Sequence, residues 1–147
     1  MSQTNDSEKA SEQSILIRRQ VPLLDHLCIR PVKSGNGQAE FEITVDDPHL
    51  RSLGILHGGV VATLLDTAMG VSANSVAPAD HHVVTIQLGV NFIRTAEKGD
   101  SLIATGEVLH KGRKTIVTRG EVRNAGNELV ALGTATFMVL PLPTPKA

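Results

Sequence analysis

Residues 54–70 of the chain, GILHGGVVATLLDTAMG, are almost all apolar or small, yet they include His57 and Asp66. Two glycines follow the histidine. A helix that begins at paired glycines leaves backbone N–H groups free to stabilise negative charge developing on a carbonyl oxygen. His57-Gly58-Gly59 is therefore a candidate oxyanion site. The alternative is a flexible joint between a loop and a helix, with a histidine nearby by chance.

Asp66 lies in the middle of the predicted helix, where an ionised carboxylate gains nothing from the helix dipole and is costly to bury without a partner. A carboxylate in a cleft could act as a nucleophile or as a general base that activates water. The alternative is an aspartate on the thin polar stripe of an amphipathic helix. Its neighbours on the same helical face are small enough to admit another backbone or a ligand: Ala62, Thr63, Gly70 and Ala73.

Asp66 follows His57 by nine residues. On an α-helix this separation advances the chain by about 13.5 Å and turns it by about 900°, so the two side chains lie far apart on opposite faces. One subunit cannot combine them in a single site. A two-fold dimer could bring Asp66 of one copy to the helix N-terminus of the other, and we therefore expect a homodimer with paired sites.

Hydrophobic periodicity and turn residues predict the elements that position this helix. A short amphipathic segment interrupted by Pro22 covers part of the core, and a hairpin at 28–33 and 38–45 surrounds the turn Ser-Gly-Asn-Gly. A buried helix at 58–76 follows a loop at 46–56. The remaining apolar segments, separated by turn residues, are predicted as strands at 82–94, 102–110, 115–124 and 129–140.

The order of these elements predicts an α+β fold. Short connections favour an antiparallel meander of the last four strands, and one buried helix requires a curved sheet wrapped around it. We expect a polar, disordered tail at 1–13, a single domain at 14–141 and a C-terminal tail at 142–147.

On the strand at 82–94, alternation turns Val84 and the other even-numbered residues toward the helix. Thr85 therefore reaches the site only if it lies at a strand end, a bulge or a subunit boundary.

Composition excludes several classes of function. Lys and Arg total 14 against 15 Asp and Glu, and aromatic residues make up 2% of the chain, which argues against nucleic-acid binding. A single cysteine, Cys28, and an N-terminus without signal-peptide features predict a cytoplasmic protein. No apolar run is long enough to span a membrane. The histidines lack the convergent spacing of a metal site.

The residues from Gly54 to Gly70 resemble those of the hotdog-fold acyl-CoA thioesterases, especially the phenylacetate-degradation (PaaI-like) branch. The branch signature is a glycine, two residues, His-Gly-Gly, and an aspartate nine residues after the histidine. The resemblance covers roughly residues 23–140 and includes the later strands. The residues that match the signature here are Gly54, His57, Gly58, Gly59, Asp66 and Gly70.

The resemblance implies hydrolysis of an acyl or aryl-acyl thioester to the free acid and CoA, with no cofactor besides the CoA of the substrate. It implies that the Gly58 N–H polarises the thioester carbonyl, while Asp66 from the partner subunit attacks it or activates water. Thr85 would position the water or the carboxylate, and His57 would hold the loop and the thioester region. It also implies dimers that pair into tetramers. We expect Gly59, Gly70 and Val84 to contribute to substrate binding.

One residue departs from the family pattern. Arg51 stands where the family has Asn or Gln, and a guanidinium only donates hydrogen bonds and always carries charge. Arg51 could act on a nearby carboxylate, an anionic acyl group or a CoA phosphate, or it could simply point outward. It also motivates an alternative function, a non-catalytic acyl-CoA binding protein; a hotdog dehydratase or hydratase would need an acid–base pair that the helix start does not supply.

A basic turn could bind the phosphates of CoA. Residues 110–114, His-Lys-Gly-Arg-Lys, lie between two predicted strands, and Arg113 and Lys114 are the candidate phosphate ligands. The alternative is an ordinary solvated turn.

Overall fold

The computed structural model describes residues 21–144, which form helices α1 and α2 and strands β1–β6. The tail predicted for residues 1–13 and the last residues of the chain, 145–147, lie outside this part. Two single 3₁₀ turns, Asp47–His49 and Ser52–Gly54, join β2 to α2. The bounds are α1 Pro22–His26, β1 Arg30–Gly35, β2 Gln38–Thr44, α2 Gly58–Asn74, β3 His81–Phe92, β4 Ser101–Lys111, β5 Thr115–Asn124 and β6 Leu129–Pro141.

The predicted first hairpin is confirmed by β1, β2 and their tight turn. Asn36 and Gly37 connect the strands with φ angles of 53° and 77°, the pair of positive values that a type I′ hairpin turn requires. Most of the segment predicted before the hairpin, residues 14–20, lies outside the described residues. Within them, Pro22 is the first residue of α1, where its missing N–H costs no helical hydrogen bond.

The predicted buried helix is α2, which contacts all six strands. One half-exposed stripe along the helix carries Asp66 and Gly70. A row of glycines on β4, β5 and β6 lets the helix approach the sheet closely, since a Cβ on Gly106 would collide with the carbonyl of Ala68. The buried residues of the helix are Val60, Val61, Leu64, Leu65, Ala68, Met69, Ser72 and Ala73.

The six strands form one antiparallel sheet in the order β1-β2-β4-β5-β6-β3. The predicted meander of the last four strands is therefore wrong for β3, which pairs with β6 rather than β4. The eight residues at 93–100 can reach about 26 Å, enough to cross the roughly 14 Å between β3 and β4. A short connection thus did not require the two strands to be neighbours.

Among the described residues, the two edge strands of the sheet are β1 and β3. Between residues 21 and 144, no helix is both long and apolar enough to span a membrane.

Candidate active site

The start of α2 is fixed by His57, which is its N-cap. The Nδ1 atom of His57 accepts a hydrogen bond from the Gly59 N–H at 2.8 Å, so Nδ1 carries no proton in this arrangement. A Cβ on Gly59 would lie 2.9 Å from the same Nδ1. Glycine at this position therefore lets the imidazole ring cap the helix.

Gly58 presents a free backbone donor at the same helix end. Within residues 21–144, no hydrogen bond uses the Gly58 N–H. The ring of Phe92 lies beside this residue, with two ring carbons 3.4 Å from the position that a Gly58 Cβ would occupy. An unpaired N–H at a helix N-terminus, next to an apolar ring, is suited to stabilise negative charge on a carbonyl oxygen.

Asp66 lies about 2.2 turns beyond Gly58 on α2, and its partner is Thr85 on β3. The hydroxyl of Thr85 donates a hydrogen bond to Oδ1 of Asp66 at 2.8 Å. The Asp66 side chain is half-exposed on the helical face of small residues, as the sequence predicted. The hydrogen bond orients one carboxylate oxygen, and no other residue of the described part of the chain bonds to the second oxygen.

A β-bulge brings Thr85 to this position. The register between β3 and β6 shifts between Thr85 and Gln87, so Ile86 is an extra residue in the ladder. Thr85 pairs with Phe137, whose buried ring faces α2. Directly paired residues share a face of the sheet. The bulge, one of the three conditions that alternation allowed, therefore brings Thr85 to Asp66, while the role of Thr85 in the site stays a prediction.

The same bulge corrects the prediction for Val84. Val84 pairs with Met138, which lies on the face of the sheet opposite Phe137 and α2. The strict alternation predicted for β3 fails at the bulge, and the structure does not bring Val84 to Asp66.

Gly70 lies on the same helical face as Asp66. A Cβ on Gly70 would lie 3.2 Å from the ring of Phe137, so packing accounts for the small size of this residue.

One chain does not combine the two halves of the site. His57 and Gly58 begin α2, whereas Asp66 lies about 12 Å along the same continuous helix from Gly58. The separation inferred from the spacing therefore holds in the folded chain.

Arg51 is exposed and precedes the second 3₁₀ turn. Its backbone N–H donates to the carbonyl of Ile55 at 2.8 Å. Its guanidinium makes no hydrogen bond or ion pair with any other residue of the described range. The structure therefore leaves the Arg51 side chain available to a ligand or a partner.

Arg113 and Lys114 are exposed at the β4–β5 turn. Lys111 lies in the same cross-strand row as Thr85, because Lys111 pairs with Ile116, Ile116 with Phe137, and Phe137 with Thr85. Three strand spacings, about 14 Å, separate the ends of this row. The basic turn and Asp66 thus lie toward the same end of the sheet.

A charged cluster stabilises the loop before α2. The backbone N–H of Asp47 donates to Asp46 at 2.8 Å and lowers the pKa of the Asp46 carboxyl, and Lys98 lowers it further. Ion pairing with Asp47, at 3.0 Å, raises the pKa of the Lys98 ammonium. These groups are exposed and contact neither Gly58 nor Asp66.

A buried histidine in this loop, His49, does not stand out in the sequence pattern. It is 2% exposed, and its ring is hydrogen-bonded on both nitrogens. Asp46 three residues earlier, the N-cap-to-N3 spacing of a capping box, was the available signal.

Comparison with known proteins identifies the family. The thioesterase superfamily matches residues 53–131, which are 79 of the 147 residues and include both halves of the site. The chain belongs to the thioesterase superfamily. The predicted enzyme class, a thioester hydrolase, is thereby confirmed.

A solved structure and two relatives agree with this membership. The PaaI protein of the Escherichia coli phenylacetic acid degradation operon matches with a TM-score of 0.84 at 28% identity, over 91% of this chain and 95% of that one. This similarity confirms the predicted hotdog fold. SSO2140 of Saccharolobus solfataricus, whose name provisionally assigns it as an esterase, is 30% identical over 92% of this chain and 94% of its own. The medium/long-chain acyl-CoA thioesterase YigI of Escherichia coli is 34% identical over 58% of this chain and 63% of its own.

Proposed function

We propose that this superfamily member hydrolyses acyl-CoA thioesters to the free acid and CoA at sites shared between two subunits. The observation that carries the proposal is the 2.8 Å hydrogen bond from Thr85 to Asp66, which orients a half-exposed carboxylate beside small residues. The name of YigI supports acyl-CoA as the substrate class.

The chemistry follows from the two ends of α2. As a general base, Asp66 removes a proton from water, whose oxygen attacks the thioester carbon; as a nucleophile, the carboxylate attacks that carbon itself and water then hydrolyses the resulting anhydride. In both routes, the Gly58 N–H stabilises the negative charge on the carbonyl oxygen. The tetrahedral intermediate collapses by breaking the carbon–sulfur bond, and CoA leaves as the thiolate. In the nucleophilic route this step forms the anhydride, which water attacks only afterwards.

The exposed edge strand β3 supports a shared site. Thr85, beside Asp66, and Phe92, beside Gly58, lie seven residues apart on this strand, about 23 Å. Antiparallel pairing of two β3 edges about a two-fold axis would place the Thr85 end of one copy near the Phe92 end of the other. Gly58 would then face Asp66 of the partner subunit. Pairing of dimers into tetramers, a cytoplasmic location and the lack of any separate cofactor stay predictions.

Arg113 and Lys114 are the proposed ligands of the CoA phosphates. Both are exposed, and neither forms an ion pair with another residue of the described range. Free cations at an exposed turn can bind phosphate without first breaking a competing ion pair.

Release of free thiol from a panel of short, medium, long and aromatic acyl-CoAs tests the proposal. Asp66→Asn keeps the size of the side chain but removes its basicity, so we expect kcat to fall about 10²- to 10⁴-fold. The control is Asp25→Asn, which changes an exposed carboxylate on α1 and should leave kcat unchanged. Full activity in Asp66→Asn would contradict the mechanism.

The guanidinium of Arg51, which has no partner between residues 21 and 144, favours a second candidate function, an acyl-CoA binding protein without turnover. Titration calorimetry with a non-hydrolysable acyl-CoA thioether distinguishes the two candidates when combined with the thiol-release assay. Binding of the thioether together with no thiol release from any substrate would favour the second function.

A further inference from the structure

A buried histidine outside the proposed machinery is connected to the start of α2. The imidazole of His49 is 2% exposed, and its Nε2 atom lies 2.7 Å from the carbonyl oxygen of Leu27 at the end of α1. Its Nδ1 atom accepts a hydrogen bond from the Asp46 N–H at 2.9 Å. A neutral imidazole has one donor and one acceptor, and this arrangement uses both.

The backbone of His49 continues this connection toward Gly58. The His49 N–H donates to the carbonyl of Asp46 at 2.9 Å, and this hydrogen bond closes the 3₁₀ turn of residues 46–49. The His49 carbonyl accepts a hydrogen bond from the His57 N–H at 2.9 Å, and the ring of His57 accepts from the Gly59 N–H at 2.8 Å. A series of hydrogen bonds therefore links the buried imidazole to the residues on both sides of Gly58.

We propose that His49 is a positioning residue that holds the Gly58 N–H in the orientation needed to receive the thioester oxygen. The inference rests on the proposed function, in which Gly58 is the oxyanion donor. His49 acts through the turn 46–49 and the His57 backbone, and it does not touch the substrate. The hydrogen bond between its Nδ1 and the Asp46 N–H shapes the turn, whereas the bond to Leu27 attaches that turn to α1.

Two conservative variants separate these two hydrogen bonds. In His49→Asn, the amide oxygen takes the place of Nδ1 and can still accept from Asp46, but the side chain is too short to reach Leu27. In His49→Gln, the amide nitrogen takes the place of Nε2 and can reach Leu27, but the acceptor for Asp46 is lost. Both variants should lower the melting temperature. Only His49→Gln should move Gly58, because only this variant loses the acceptor for the Asp46 N–H.

A matched control is Thr118→Val on β5. The Thr118 hydroxyl is fully buried and donates to the Ala135 carbonyl at 3.1 Å, away from the loop before α2. Its loss should lower the melting temperature without moving the start of α2. This variant therefore measures how much a loss of stability alone changes turnover.

The first measurement is the rate of thiol release well below each melting temperature. We expect His49→Gln to lower kcat about 10- to 100-fold with little change in KM, because a displaced oxyanion donor weakens transition-state binding only. His49→Asn and Thr118→Val should keep kcat near the wild-type value. A kcat that falls equally in all three variants, in proportion to their melting temperatures, would overturn the proposal in favour of general stabilisation.

The second measurement does not depend on turnover. The Gly58 and Gly59 amide resonances in a ¹⁵N–¹H NMR spectrum should shift in His49→Gln and stay in place in the other two variants. If the wild type hydrolyses no acyl-CoA, the proposed function fails, while these resonances still decide the positioning role. Unmoved resonances in folded His49→Gln overturn it. If that variant does not fold, displaced resonances or a lowered kcat in His49→Asn overturn it instead.

Discussion

The two edges of the sheet are built differently. β1 is six residues long, contains Pro31 and Lys33, and has a bulge between these two residues. β3 is 12 residues long and contains neither proline nor lysine nor arginine. Natural proteins protect free edges with short strands, proline, lysine and bulges. β1 has all four of these features, whereas β3 exposes the apolar side chains Val84, Ile86, Leu88 and Phe92.

This difference indicates which edge is available to another chain. A long edge strand that exposes apolar residues and contains no proline or lysine favours strand pairing with a second copy, while the short edge strand with proline and lysine disfavours it. Each edge also has a bulge, but with a different consequence. The bulge at Val32 interrupts the ladder of β1, whereas the bulge at Ile86 turns Thr85 toward Asp66.

The largest effect is expected from a charge in the β3 edge. Leu88→Lys places an ammonium group in the apolar strand that would pair with a second copy, and burying it without a partner is costly. We expect a monomer whose kcat/KM is lower by about 10²- to 10³-fold, because Gly58 no longer faces a carboxylate of the partner subunit. Light scattering measures the mass, and thiol release measures the activity.

The matched control for this variant lies on the opposite edge. Val32→Lys places the same charge at an exposed position of the β1 bulge and should change neither the mass nor the activity. An active monomer of Leu88→Lys would contradict the shared site, and a loss of dimer in Val32→Lys would reverse the interpretation of the two edges.

A smaller effect is expected at the β3 bulge itself. Thr85→Val keeps the shape of the side chain but removes the hydrogen bond to Asp66. Because hydrogen bonds to charged groups contribute about 1.5–3 kcal/mol, we expect kcat to fall about 10- to 100-fold while the dimer persists. Thr85→Ser, which restores a hydroxyl, should recover most of the activity. Equal activity in the Val and Ser variants would show that the bulge does not serve the site.

The sequence predicted the features that depend on local pattern. The helix at 58–76, the turn at Asn36 and Gly37 and the strand segments all follow from periodicity and from residues that favour positive φ angles. The separation of Gly58 from Asp66 follows from helical geometry alone. These features need no knowledge of which strands are neighbours, which explains why they could be predicted.

The features that depend on pairing between strands could not be predicted. Alternation shows that residues 82–94 form a strand, but not that it pairs with β6 or that Ile86 is an extra residue in the ladder. Strict alternation consequently predicts the wrong face for Val84. The role of Thr85 follows only from the family resemblance. For His49, the capping-box spacing from Asp46 indicates a turn but does not show that the imidazole is buried.

The smallest effect is expected from removing the cations of the β4–β5 turn, which differ from the cations of β1 in having no ion-pair partner within residues 21–144. Arg30 and Lys33 on β1 are paired with Glu42 and Glu40 at 3.3 and 3.5 Å, whereas Arg113 and Lys114 form no ion pair within residues 21–144. Replacing both residues of the β4–β5 turn by alanine should raise KM for acyl-CoA about three- to tenfold at low salt, with kcat unchanged, because exposed charge contacts contribute little each.

Salt and a control pair of substitutions make this last prediction specific. The increase in KM should shrink as salt rises, because exposed charges are screened over about 8 Å at physiological ionic strength. Arg30→Ala with Lys33→Ala should leave KM unchanged, because those cations already have carboxylate partners and belong to the edge that is not expected to pair. An equal rise in KM for both pairs would indicate that net charge, rather than the β4–β5 turn, attracts the CoA phosphates.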